Sequence, residues 1–388
     1  TKERMTQADI YLDNNATTPC DARVLEAMLP FFAQVYGNPA NGLHKQGRLA
    51  ARYVEEAREY VARLLGALPA EIIFTAGATE SNNLAIQGVA RVAGRGRKRV
   101  VTSAVEHKSV LLPCQKLAAE GCEVVVLPVD TEGIVSLDAA EEAINDATLL
   151  VSIQAANNEV GSIQPVVEIA AIAHRHGAIV HCDAAQAAGK IPLDVDEWGV
   201  DLLSLSAHKL YGPKGVGALY VRGGTGALPL EPLCVGGGQE RGVRPGTLNV
   251  PAIVGFGKAC QLCLEQGTQE AVRLKALRDG FERELLNRVK TLRINGDLER
   301  RLPNTSSLTF PGVDADALLL NVPHLMLGTG SACTSRTIEP SHVLLAMGIS
   351  RQDASSTIRV SIGRFTTAED LTVTAESLAE AYQRLLRA

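Results

Sequence analysis

Three short stretches of the sequence carry residue types that could serve one reaction. In Thr75-Ala76-Gly77-Ala78-Thr79-Glu80-Ser81 a glycine stands where a strand-like run gives way to a helical one. There the backbone N–H groups of Ala78 and Thr79 would face an anion at the helix N-terminus, and Thr79 adds a hydroxyl. The spacing of the common nucleotide-binding loops is missing, and a threonine N-cap explains the stretch equally well on its own. Val180-His181-Cys182-Asp183-Ala184-Ala185-Gln186 puts Asp183 at the carboxyl end of a strand, the end at which α/β proteins bind ligands. A carboxylate there can keep a pyridine nitrogen protonated, and Gln186 could donate to a hydroxyl on the same ring. An Asp N-cap with a solvent-facing Gln is the plainer alternative. Ser204-Leu205-Ser206-Ala207-His208-Lys209 ends the next strand-like run with two hydroxyls, an imidazole and an amine. A lysine beside an anion site can have its pKa lowered enough to act as a nucleophile, although a single lysine is more often a surface residue.

Together the anion cradle, the acid and the lysine have the make-up of a pocket for pyridoxal phosphate. A thiol stands apart from them, in Gly328-Thr329-Gly330-Ser331-Ala332-Cys333-Thr334-Ser335. This stretch is small, polar and glycine-rich, so it predicts a surface loop with an accessible cysteine, and nearby Arg336 favours its thiolate. Arg359 lies in the alternating run Ile358-Arg359-Val360-Ser361-Ile362 and points away from the apolar side chains. Its planar fork suits a carboxylate; a structural salt bridge is the other reading. His107 and Asn157-Asn158 follow strand-like runs and would converge on the same crevice, or else serve as a helix cap and a turn.

Such a constellation needs several strands that end side by side. Strands are predicted at Glu71–Thr75, Arg99–Ser103, Glu123–Leu127, Leu149–Gln154, Ala178–Cys182 and Asp201–Ser206, with helical segments long enough for parallel crossovers between them. After Gly255 the character changes. Residues 256–291 predict a long helix passing from one domain to the next. Strand-like Ser306–Phe310, a short helix near 314–321 and the alternating Thr357–Ile362 follow. The last helix is expected to open on a capping box of Thr366 and Glu369. This gives a large domain at 15–258 and a smaller α+β domain at 259–388, joined by residues 1–14.

The 388 residues suit two domains, and a net charge of −5 argues against a nucleic-acid partner held by phosphate contacts. No run reaches the roughly 18 apolar residues of a membrane span, and Thr1–Met5 has no secretory character. The basic run Arg95–Arg99 reads as a solvated loop. Eight scattered cysteines suit a reducing cytosol, and the Cys260/Cys263 pair reads as buried helix thiols.

The chain resembles fold-type-I pyridoxal-phosphate enzymes of the class V aminotransferase group, specifically the cysteine desulfurases of the first, NifS- and IscS-like group. The resemblance rests on ordered stretches across nearly the whole chain: Tyr11–Thr18, Gly37-Asn38-Pro39, Ala78–Ser81, Val105-Glu106-His107, Asn157-Asn158-Glu159, Asp183, His208-Lys209, Gly236–Gly242, Gly330–Cys333, Glu339-Pro340-Ser341 and Ile358-Arg359. It implies a large domain with a mostly parallel seven-stranded sheet and a small domain carrying the cysteine loop, about 328–340. Lys209 would hold the cofactor as a Schiff base and later move the substrate's α-proton. Asp183 would pair with the ring nitrogen, Gln186 with the ring oxygen, His107 would stack on the ring, and Asn158 would orient substrate. Ala78, Thr79, Ser206 and His208 would hold the phosphate, and Thr247 would reach the phosphate of a partner subunit in a homodimer. Ala207 stands where relatives often carry glycine.

The resemblance further implies that L-cysteine, gripped by Arg359, becomes L-alanine while its sulfur passes to Cys333 as a persulfide. His107 would assist proton transfers. The expected acceptor is an iron–sulfur scaffold or another sulfur-acceptor protein in the cytoplasm, and a transient iron–sulfur ligand role for Cys333 stays open. The chain stops at Ala388, where many relatives continue into a scaffold-binding tail, so docking is an open expectation. The alternatives are a selenocysteine lyase or other C–S lyase, a true aminotransferase, and a non-enzymatic sulfur- or metal-binding assembly protein.

Overall fold

The computed structural model describes residues 9–92, 96–228, 230–329 and 340–387. After a short strand β1 (Ile10–Tyr11), the chain builds one sheet from β2 (Ile72–Thr75), β3 (Arg99–Ser103), β4 (Glu123–Leu127), β5 (Thr148–Gln154), β6 (Ile179–Asp183), β7 (Leu202–Ser206) and β8 (Gly217–Val221). Their spatial order is β2-β8-β7-β6-β5-β3-β4. Neighbours from β7 through β4 pair in parallel, and β8 runs antiparallel to both β7 and β2. Strands buried on both faces carry apolar residues on each, which is why β5 is legible from its Leu, Val and Ile and β7 from its leucines. One apolar cluster on each face closes the sheet against helices.

A second body forms around β9 (Arg293–Asn295), β10 (Thr305–Thr309), β11 (Leu325–Met326), β12 (Gly328–Thr329) and β13 (Thr357–Ser361). Four of these make an antiparallel sheet ordered β12-β13-β10-β9, while β11 pairs in parallel with β1. The N-terminal segment thus belongs to this body at β1, and it then crosses to the large sheet, where the Thr18 N–H donates to the His208 carbonyl.

The helix Val250–Arg288 joins the bodies without a break. Its buried residues up to Cys263 belong to the large cluster, and from Leu274 onward they belong to the small one. It starts earlier than residue 256, because Asn249 caps it and Pro251 occupies its first turn, where a missing N–H costs nothing. It lies against the helix Lys45–Leu65 at Gly257, where an added Cβ would sit 2.5 Å from Ala57 Cα.

Cys260 and Cys263 are buried on the Val250–Arg288 helix, and burial pushes the Cys263 thiol up to about 11. The capping box of the last helix, Ala368–Leu385, is a correction to the expected Thr366/Glu369 pair. Thr367 and Asp370 form it, one residue further on, while the Thr366 hydroxyl accepts from the Gly363 N–H. No helix among the described residues is long and apolar enough to cross a membrane.

Candidate active site

The carboxyl ends of the parallel strands open on one cavity of about 1260 Å³. Five strands deliver its polar groups: β2 leads into Gly77, β3 into His107, β5 into Asn158, β6 ends on Asp183, and β7 ends on Ser206 ahead of His208 and Lys209. Parallel strands release their loops at the same edge, so residues distant in sequence meet there.

Gly77 adopts φ +149°, which favours glycine, and the neighbouring β8 passes so close that a Cβ on Gly217 would lie 2.6 Å from Gly77 Cα. This turn starts the helix Ala78–Val92, whose first N–H groups have no intrahelical partner. Ala78, Thr79, Ser206 and His208 line the cavity around this helix start. Burial, with help from neighbouring lysines, pulls the His208 imidazole down to about 4, so it is neutral at physiological pH. A neutral donor set of amides, hydroxyls and imidazole suits a phosphate, which only accepts hydrogen bonds in its ionised form. The chemistry of these donors therefore fits the phosphate of pyridoxal phosphate.

Asp183 is buried, and its two carboxylate oxygens are already oriented. Oδ1 accepts from the Ala185 N–H at 3.0 Å and Oδ2 from Asn82 Nδ2 at 2.7 Å. Lys209 Nζ donates to the backbone carbonyls of Asn15 and, at 2.8 Å, Ala16. Burial first, then the nearby Arg359 guanidinium, lower this amine to about 8, against the pull of Asp183 and Asp13. A buried carboxylate and an easily deprotonated amine thus share the cavity with the start of the Ala78–Val92 helix.

His107 is both a cavity wall and a helix cap. It caps Lys108–Ala119, accepting from the Ser109 N–H at its Nδ1, and burial pulls the ring's pKa below its ordinary value. Gln186 lines the cavity and donates from Nε2 to the Asn15 carbonyl at 2.9 Å. Asn158 lines it too, and its carbonyl receives Arg359 at 3.0 Å and Asn15 at 3.1 Å.

Arg359, on β13, forms a salt bridge to Asp13 at 2.7 Å, and its Nε is buried with no partner among the described residues. The structural bridge raised as an alternative is therefore present, yet the guanidinium still lines the cavity and retains an unspent donor.

Ten of the twelve site residues expected from the sequence line this one cavity: Ala78, Thr79, His107, Asn158, Asp183, Gln186, Ser206, His208, Lys209 and Arg359. Thr247 is exposed and does not line it. Cys333 lies outside the described residues.

Sequence reasoning gave no role to Asn15, although it lies in the quoted stretch Tyr11–Thr18, and overlooked Asn82 and Ser109. Asn15 is the hub: its side chain meets Asn304, Thr305 and the Asn158 carbonyl, while its own carbonyl receives Gln186 and Lys209. Asn82 carries a weak signal, since it stands one helical turn after Ala78 and so shares the cradle's face. Nothing in the spacing of Asn15 reveals its partners, which lie up to 290 residues away.

The family model described as Aminotransferase class-V matches residues 10–373. A mitochondrial cysteine desulfurase from Arthroderma benhamiae is 48% identical over 373 residues, covering 96% of this chain and 74% of the relative. The cysteine desulfurase IscS of Rickettsia felis is 47% identical over 362 residues, covering 93% of this chain and 88% of the relative. Among solved structures, one titled as a NifS-like protein superposes with a TM-score of 0.90 at 40% identity, covering 97% of this chain and all of the other. A structure titled as SspA in complex with cysteine gives 0.82 at 38% identity, covering 92% of this chain and 99% of the other.

Proposed function

We propose, from the premise that this chain belongs to the class-V aminotransferase family, that it is a pyridoxal-phosphate-dependent cysteine desulfurase that turns L-cysteine into L-alanine. The observation that carries the reading is the meeting of Lys209, Asp183 and the start of Ala78–Val92 in one cavity that Arg359 also lines. Pyridoxal phosphate, when bound, supplies a protonated ring that takes up the electron pair left when a proton leaves the substrate's α-carbon.

The chain's own residues supply the rest. Ala78, Thr79, Ser206 and His208 hold the phosphate, Asp183 keeps the ring nitrogen protonated, Gln186 meets the ring oxygen, and His107 covers the ring face. Lys209 attaches the cofactor and, once freed, takes the proton from the substrate's α-carbon. Its lowered pKa makes a neutral amine available near physiological pH. Arg359 binds the substrate carboxylate and Asn158 orients the substrate beside it; the place of both in the cavity lining supports this.

Cys333 is the proposed sulfur acceptor. Its thiolate attacks the substrate sulfur, an S–S bond forms as the carbon–sulfur bond breaks, and a persulfide remains on the protein. We further read the working form as a cytoplasmic homodimer, with Thr247 of one chain reaching the other's site. Its exposure on its own chain supports this. The persulfide then serves an iron–sulfur scaffold or another acceptor, as the resemblance to the first group of desulfurases implies.

The test is to incubate the cofactor-loaded protein with L-cysteine, quantify alanine, and look by mass spectrometry for an added sulfur on Cys333. Cys333→Ala should lose both alanine production and the persulfide. Normal cysteine turnover by Cys333→Ala would refute the persulfide route and favour a lyase that releases its product directly.

A further inference from the structure

Asn82 lies on the buried face of the Ala78–Val92 helix, and its side chain is fully enclosed. Both of its amide hydrogens are committed. Nδ2 donates to Asp183 Oδ2 at 2.7 Å and to Ser109 Oγ at 2.8 Å. A carboxylate only accepts, so the amide cannot be turned over without setting Oδ1 against another acceptor. Oδ1 is itself buried with no partner among the described residues. Leaving an acceptor unpaired is costly, which marks the Nδ2 side as the one the fold retains.

The consequence passes along the chain of bonds. Ser109 Oγ accepts from Asn82 and lies 2.7 Å from His107 Nδ1, to which its own hydrogen turns if that nitrogen is an acceptor. The Ser109 backbone N–H, which can only donate, points to the same nitrogen at 3.1 Å. This makes Nδ1 the acceptor, so the ring proton sits on Nε2 and the Ser109 hydroxyl donates as well.

We propose that Asn82 and Ser109 are positioning residues that couple the carboxylate of Asp183 to the tautomer of His107, holding the imidazole with its proton on Nε2. His107 then offers the cavity an N–H donor and a ring face. A proton on Nδ1 would set it against the Ser109 backbone N–H and force the Ser109 hydroxyl to turn. One helix, Ala78–Val92, therefore sets three things at once: the phosphate cradle at its first turn, the orientation of Asp183, and the protonation pattern of His107.

The inference deepens the reading of Asp183 and His107 given above, and the measurement separates the two. Histidines are labelled with nitrogen-15, and the His107 signals are assigned by their loss in His107→Gln. Spectra are taken with and without pyridoxal phosphate. Wild-type His107 is expected to show a bare Nδ1 and a protonated Nε2 in both forms. In Asn82→Ala the two tautomers should mix, and kcat for cysteine should fall about tenfold. Ser109→Ala, which leaves Asn82 on Asp183, should shift the Nδ1 signal in the same direction and serves where Asn82→Ala does not fold. A protonated Nδ1 in the wild type overturns the coupling, as does an unchanged tautomer in a folded variant. A wild-type protein with the expected tautomer that failed to turn over cysteine would sink the functional reading and leave the coupling standing.

Discussion

An amine that is to act as a nucleophile near neutral pH has to give up its proton, and the surroundings of Lys209 lower the cost of doing so. Burial penalises the ammonium, the Arg359 guanidinium adds repulsion, and together they outweigh the attraction of Asp183 and Asp13, leaving the group at about 8. The sign follows directly: below that pH the amine is protonated and cannot attack, and above it the amine is free. Capture of pyridoxal phosphate by cofactor-free protein should therefore speed up as pH rises through about 8 and then level off, as followed by absorbance. An ordinary lysine would keep gaining up to its unperturbed value of about 10.4. A rate that kept climbing to that higher pH would show that burial does not set the chemistry of Lys209. At this scale the sequence was highly legible, because Lys209, Asp183 and Thr79 each sit at a strand end or helix start. What it could not show was which hydrogen bonds those side chains already make, such as the bridge of Arg359 to Asp13.

At the scale of elements, the buried strands were legible because runs of β-branched and aliphatic residues have few other uses. The strands β1, β9, β11 and β12 were not, since two or three residues give no period and their pairing partners are remote. The start of the Val250–Arg288 helix was obscured by its glycines, which look like a break in the sequence. In the fold they are contact points: Gly257 lets this helix touch the backbone of Lys45–Leu65. Gly257→Val would force the pair apart, and overpacking of this kind costs roughly 1–3 kcal/mol. Urea denaturation of the variant should show a lower midpoint with an unchanged slope. An unaltered midpoint would mean that the helices can separate freely.

Across the whole molecule, the two bodies are held by the Val250–Arg288 helix and by the N-terminal segment, with Asn15 at the crossing. Its side chain bonds Thr305 at 2.8 Å and Asn304 at 3.0 Å in the small body and the Asn158 carbonyl in the large one. Removing it leaves several buried polar groups without partners, each worth about 1–3 kcal/mol. Asn15→Ala should lower the melting temperature in calorimetry and also weaken substrate binding, because the Asn158 carbonyl that receives Arg359 loses its other donor. A variant that lost activity at full thermal stability would place Asn15 in the chemistry alone.

The backbone carbonyls of Asn15 and Ala16, where Lys209 rests its amine, carry a different consequence. Main-chain oxygens are present whatever side chain stands at those positions, so an alanine scan is blind to this resting place. A single-residue library would report Ala16 as tolerant and would assign any loss at Asn15 to its side chain, although both carbonyls hold the amine. Only chemistry that alters the backbone itself, such as replacing an amide by an ester to weaken the carbonyl as an acceptor, would bring that dependence into view.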